Sequence, residues 1–202
     1  MARLLVYYAH PGHKHSHVNR HMARAAERVQ GISFVDLYAD YPRFEIDVDR
    51  EQRRLLEHDV FLFQFPVFWY STPSILKEWQ DLVLEHGFAY GSGGDKLTGK
   101  RLMLAVTAAG PQDAYTHQGY QHFPLRTFLT PLEQTANLCS MRFSAPYVLF
   151  GSLRAPGDGQ VKPHVSGYRQ LLEAIRDDHF DFTAAEQAET LDFKSLPIGR
   201  EA

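Results

Sequence analysis

Four histidines stand within eight positions near the start of the chain, His10, His13, His15 and His17 in YYAHPGHKHSHVN. Imidazoles so close together suit two kinds of chemistry. They could hold a metal ion, for which the neutral ring is a common ligand. They could equally ring an anion, adding donors and some positive charge around a pKa of about 6.5. The stretch has no Cys, Asp or Glu to complete a metal's ligand set. For His13 and His15 singly, plain solvent exposure is the simpler reading. The residues that follow favour the anion, because a helix begins near Ser16 just after His10-Pro11-Gly12. A helix start offers unpaired backbone N–H groups and a positive dipole end, which suit a phosphate. Ser16 would add its hydroxyl, and Ser16, His17, Val18 and Asn19 their backbone amides.

Two other stretches carry unusual chemistry. In QFPVFWYSTPSILKEW an apolar run meets Pro66 and then three adjacent aromatics, Phe68, Trp69 and Tyr70. Three neighbouring rings cannot all enter one core, so at least one is expected to border a planar ligand; Trp79 is expected to be core. In AVTAAGPQDAYTHQGYQHFP the small residues Thr107, Ala108, Ala109 and Gly110 would let backbone approach a ligand closely. Tyr115, His117, Tyr120 and His122 follow, with phenol and imidazole groups to stabilise developing charge. A long polar loop of this kind is usually functional or disordered. GSGG in HGFAYGSGGDKLTGK follows a helix and lacks a Lys-Ser ending, so it is no phosphate loop. It reads as a flexible turn, with Tyr90 a large aromatic that has no evident reason to be buried.

These stretches need elements to bring them together. RLLVYYA, ISFVDL, DVFLFQF and RLMLAVT have the length and apolar content of buried strands. MRFSAPYVLF makes a fifth, interrupted or at an edge because of Pro146. Between them lie helical patterns: Val18, Met22, Ala25 and Val29; a short polar helix over Asp49 to His58; and a stripe of Ile75, Leu76, Trp79, Leu82 and Val83 started by Pro73. Further helices are expected from Pro124 toward Leu138, strained or restarted at Pro131, and over Pro163 to His179. Buried strands alternating with helices imply an α/β fold, a doubly wound five-stranded parallel sheet with helices on both faces. In such a sheet the loops after strands one, three and four converge on one crevice at the carboxyl ends. Residues 1–202 read as a single domain, and the polar tail from about Asp181 is given no structure.

Composition narrows the class. A net charge of -3 argues against nucleic acid as a partner, and one cysteine, Cys139, suggests a reducing compartment. The N-terminal apolar run is too short for a membrane span and unlike a signal peptide, so a cytoplasmic protein is expected. A serine hydrolase is disfavoured because no G-x-S-x-G occurs.

YAHPGHKHSHVN, QFPVFWYSTPSILKEW, HGFAYG and AVTAAG, in this order and spacing, give the chain a likeness to a known family. It resembles the flavodoxin-like NAD(P)H:quinone reductases of the DT-diaphorase type. More closely, it resembles the ancillary oxidoreductases of bacterial glutathione-gated potassium-efflux systems, over Leu4 to about Phe150. The resemblance implies a flavin, FMN with FAD left open, usually at a homodimer interface, and NAD(P)H as electron donor. Hydride would pass through the flavin's N5 to a quinone or similar acceptor. It implies that His10, Ser16, His17 and Val18, with Asn19 a weaker candidate, hold the flavin phosphate. Val67, Phe68, Trp69 and Tyr70 would border the ring and ribityl chain, and Thr107, Ala108, Ala109 and Gly110 its polar edge. Tyr115 with His122, or the rival His117, would stabilise charge on the reduced ring, and Tyr90 would cover the substrate cavity of a partner subunit. Two departures stand out: Thr-Ala-Ala-Gly replaces Thr-Thr-Gly-Gly, and Ser92 stands where some relatives have a second tyrosine. The alternative function is a flavin-binding regulatory subunit that activates a potassium-efflux transporter, held peripherally at the inner face of the membrane through that partner.

Overall fold

The computed structural model describes residues 1–12 and 16–199. Uninterrupted apolar runs form the strands that are buried on both faces: β1 (Leu4–Tyr8), β3 (Val60–Pro66) and β4 (Arg101–Thr107). The shorter β2 (Ser33–Asp36) lies at one edge. At the other edge β5 (Arg142–Phe143) and β6 (Tyr147–Leu149) both pair with β4, one strand broken where Pro146 cannot donate to the ladder. All pairings are parallel and the order is β2-β1-β3-β4-β5, the doubly wound arrangement that the alternation of elements implied.

Because side chains alternate across a strand, each strand feeds two cores. Leu5, Tyr7, Phe61, Phe63 and Leu104 meet α2 (Leu37–Asp40), α3 (Val48–Glu57), α4 (Ser74–Val83) and α5 (Leu125–Leu138). Leu4, Val6, Leu62 and Met103 meet α1 (Asn19–Ala26), α6 (Val161–Arg176) and α7 (Phe182–Gln187). Pro131 sits inside α5 without breaking it. Leu82, placed on the apolar stripe of α4 by spacing, is exposed, while Trp79 is core as expected.

The short polar helix stands as expected, with one buried carboxylate, and two other expectations are corrected. The helix α3 is polar in sequence, yet Glu51 is fully buried and accepts hydrogen bonds from Tyr7 Oη and Tyr41 Oη at 2.6 Å, Arg54 Nη1 at 2.6 Å and Trp79 Nε1 at 3.0 Å. The GSGG segment is knit by backbone bonds, Gly87 N to Tyr90 O, Gly94 N to Gly91 O and Lys96 N to Phe88 O, and Tyr90 is half-buried against the core. The tail is not structureless either. It forms α7 and then runs along the sheet edge, where Leu191 N donates to Pro146 O and Leu191 O accepts from Val148 N, both at 2.8 Å. Apolar Phe182, Leu191, Phe193 and Ile198 are spaced too irregularly to announce this, but they cover the second core.

That second core contains a buried imidazole. His164 stacks on Tyr147 at 4.5 Å, and neither ring nitrogen has a hydrogen-bond partner among the described residues. Burial pulls its pKa down to about 3. The unfolded chain therefore takes up the proton first, and stability present above pH ~6.5 drains away as pH falls toward 3. We expect the folding free energies of the protein and of His164→Phe, measured by urea titration, to diverge below pH ~6 by up to about 1.4 kcal/mol per pH unit. At pH ~8 the phenylalanine variant should be no less stable, since it buries no unpaired nitrogen. Parallel pH profiles would refute this.

Candidate functional site

The loops leaving β1, β3 and β4 meet at the carboxyl end of the sheet, as the doubly wound order requires. They enclose a cleft of about 410 Å3 lined by His10, Ser16 to Asn19, Pro66, Phe68 and Thr107. A fourth loop, after β6, adds Ser152 and Leu153. Sequence reasoning missed these two; the signal was Gly151-Ser152 directly after the fifth strand, where Gly151 has a φ of 65°. Gly151 N donates to Gly110 O and Ser152 N to Ala108 O, tying the fourth loop to the third.

The floor of the cleft is the start of α1, at Asn19 rather than near Ser16. Ser16 Oγ accepts from Arg20 N at 3.1 Å and so caps the helix, keeping its own hydroxyl proton to donate. Among the described residues, nothing accepts from the backbone N–H groups of His17, Val18 or Asn19. Three adjacent donors at the positive end of a helix make an anion seat. His10 is nearly buried, with Nδ1 accepting from Gly12 N at 3.1 Å, which leaves the ring proton on Nε2. His13 and His15 lie outside the described residues. Among the described residues no three His, Cys, Asp or Glu side chains could hold a metal ion together.

The Asn19 side chain does something else. It is buried, donates from Nδ2 to Thr107 Oγ1 at 2.8 Å, and its backbone carbonyl accepts from Gln64 Nε2 at 2.9 Å. One helix start is thus tethered to both central strands, and Asn19 can serve an anion only through its backbone N–H. Thr107 is committed to the same tether. Ala108 is buried and its N–H is spent on Leu149 O, and Gly110 is buried as well, so within the third loop the exposed Ala109 is left to face a ligand.

The second loop presents its rings through strained backbone. Phe68 and Ser71 exchange backbone hydrogen bonds at 3.1 and 3.0 Å around Trp69 and Tyr70, whose φ angles are 46° and 64°. Two left-handed central residues are the mark of a type I′ hairpin turn, which normally selects Asn and Gly. Trp69 is 92% exposed, Tyr70 packs on Phe128 at 4.8 Å, and Phe68 meets the edge of His10 at 5.8 Å. Val67 is half-buried, its N–H bonded to Thr107 O.

Tyr115 is half-buried between Phe128 and Phe150, and burial raises its pKa, with a backbone hydrogen bond of Gly110 opposing. Neither expected histidine stacks on it or hydrogen-bonds to it among the described residues, and both His117 and His122 are exposed. Tyr90 lies apart from the cleft, in a groove of about 360 Å3 between α4 and α5 that Phe128 and Ser71 also line.

Comparison with known proteins agrees with this geometry. A family model described as flavodoxin-like fold (Flavodoxin_2) matches residues 2–172, stopping short of α7. The chain is 40% identical over 171 residues to the glutathione-regulated potassium-efflux system ancillary protein KefG of Enterobacter sp. (strain 638), covering 85% of this chain and 93% of that one. Among solved structures, a chain from the thermophilic tryptophan halogenase (Th-Hal) of Streptomycin violaceusniger superposes with a TM-score of 0.80 at 40% identity, covering 82% of this chain and 96% of that chain. General stress protein 14 of Treponema denticola, solved in complex with FMN, gives 0.79 at 33% identity over 86% of this chain and 99% of that one. An NADPH-quinone reductase of P. pentosaceus gives 0.73 at 26% identity over 83% and 96%. No helix among the described residues is long and apolar enough to cross a membrane. With sheet order and family model in accord across most of its length, the chain belongs to the Flavodoxin_2 family of flavodoxin-like folds.

Proposed function

We propose that the cleft binds FMN and that the protein uses NAD(P)H to reduce a quinone-type acceptor. The observation that carries this is the run of N–H groups at His17, Val18 and Asn19 from which no described residue accepts, on the floor of a cleft large enough for a cofactor. These donors and the Ser16 hydroxyl suit the FMN phosphate; charge-assisted bonds of roughly 1.5–3 kcal/mol each would do more than the helix dipole alone. His10 would stand at the side of the phosphate, as part of the cleft lining. Phe68, Trp69 and Tyr70 would border the ring system, and Ala109 its polar edge. FMN, when bound, would accept hydride from the nicotinamide at N5 and yield it to the acceptor. The chain's own task is to hold and orient the reactants, and to place donors such as Tyr115 where charge develops. The names borne by the neighbours diverge, so the activity rests on the site and not on any single likeness.

The exposed hairpin rings and the groove holding Tyr90 suit a homodimer in which Tyr90 of the second copy covers the substrate. A second reading has its own support, the relation to a potassium-efflux ancillary protein at 40% identity. In that reading the protein docks on a transporter at the inner face of the membrane, and the flavin serves sensing or structure.

The test begins with purified protein titrated separately with FMN and FAD, followed by NADPH oxidation with a simple quinone. Tight FMN uptake with turnover supports the enzyme. Flavin uptake without turnover favours the regulatory reading, and absence of flavin uptake overturns both.

A further inference from the structure

The third loop doubles back on itself, and this decides which side chain stands next to Tyr115. Gln121 N donates to Ala114 O, and Gly119 N to Thr116 O, closing residues 114–121 into a tight return. Gly119 has to be glycine here, since a Cβ on it would stand 2.3 Å from Ala114 O. The return lays Gln121 over Gly110, eleven positions earlier in the chain. A Cβ built on Gly110 would meet Tyr120 Oη at 2.9 Å, Tyr115 Cε2 at 3.2 Å and Gln121 Nε2 at 3.6 Å. One residue on, His122 turns left-handed, with a φ of 62°, and its side chain is exposed. The resemblance asked for an imidazole at this place, but the fold puts the phenol of the exposed Tyr120 and the carboxamide of the half-buried Gln121 there.

The Gln121 amide makes no hydrogen bond to any described residue, although the side chain is half-buried. Ala109, exposed next to the buried Gly110, is the residue of this loop left to face a ligand's polar edge. A donor parked beside Gly110 is therefore placed to reach the same edge. The geometry points to Gln121 as a further catalytic residue: its Nε2–H donates, beside the Tyr115 hydroxyl, to the pyrimidine edge of a bound FMN, where reduction places negative charge. This rests on the flavin reading of the cleft. A carboxamide differs from an imidazole in one decisive way, because it does not titrate. The stabilisation it gives is the same on both sides of pH 6.5, whereas an imidazole donor changes protonation there, about its ordinary value.

The experiment uses the full chain loaded with FMN and reads the flavin midpoint potential, the FMN Kd and the pH profile of flavin reduction by NADPH. Gln121→Leu is expected to make the reduction equilibrium at least tenfold less favourable, about 30 mV for a two-electron couple. Its FMN Kd should stay within about threefold of the parent, because the phosphate seat is elsewhere. Gln121→His should introduce a break in the pH profile near pH ~6.5 that the parent lacks. His122→Ala should change none of the three. An unshifted potential in Gln121→Leu, or a shift of that size in His122→Ala, overturns the assignment while leaving the flavin reading intact. A parent chain that takes up no FMN overturns both.

Discussion

Glu51→Ala should destabilise the protein by about 3–5 kcal/mol, a fall in Tm of roughly 6–20 °C for a chain of this size. The carboxylate is fully buried and accepts from four groups on different parts of the fold: Tyr7 on β1, Tyr41 after α2, Arg54 one turn along α3, and Trp79 on α4. Deleting it leaves two phenols and an indole N–H without their acceptor in a core that water does not reach. Arg54 suffers least, since it also bonds Asp40. Burial, and then the neighbouring Glu51 charge, hold the Tyr7 phenol well above its usual pKa, so the hydroxyl is a committed donor at any working pH. Glu51→Gln keeps the shape but turns one acceptor oxygen into a donor, and should cost less, about 1–3 kcal/mol. Urea unfolding followed by the fluorescence of buried Trp79 measures both. A loss under about 1 kcal/mol in the alanine variant would show that the cluster contributes no more than an exposed ion pair.

That cluster marks the limit of what the sequence displays. β4 is legible to the residue, Arg101–Thr107, because a strand buried on both faces is apolar from end to end. The break in the fifth strand is legible because proline has a single, local effect. Both follow from properties of neighbouring residues. Glu51 is the opposite case: DREQRRLLEH is polar by any count, and only the meeting of β1, α2 and α4 over one turn of α3 supplies partners that let a carboxylate be buried. The candidate site divides along the same line. The convergence of three loops follows from topology, and the anion seat from a helix start after a strand. Which side chain of a loop faces inward does not follow, since one residue of register in the return of residues 114–121 exchanges His122 for Gln121. Asn19 likewise reads as a ligand in sequence and becomes a tether once Thr107 and Gln64 stand beside it.

Trp69 and Tyr70 pose the sharpest conflict between stability and use. Each holds a left-handed backbone angle, which costs an L-residue with a bulky side chain roughly 1–2 kcal/mol. The hairpin's own preference at these two positions is Asn-Gly. Trp69 gains nothing from the core in return, at 92% exposed. A turn that spends free energy to show aromatic rings to solvent is expected where those rings meet a ligand or a second chain. The paired substitution Trp69→Asn with Tyr70→Gly should therefore raise stability by about 1–3 kcal/mol. Part of the gain is offset by the added chain entropy of glycine and by the lost Tyr70 contact with Phe128. The same variant should bind FMN at least tenfold more weakly, about 1.4 kcal/mol, because the border of the ring system is gone. Differential scanning calorimetry and an FMN titration on one preparation read both quantities. Loss of stability would mean that the hairpin is unstrained and packed by contacts beyond Phe128. Stability gained with FMN affinity unchanged would move the aromatic border elsewhere and leave these rings to a partner chain alone.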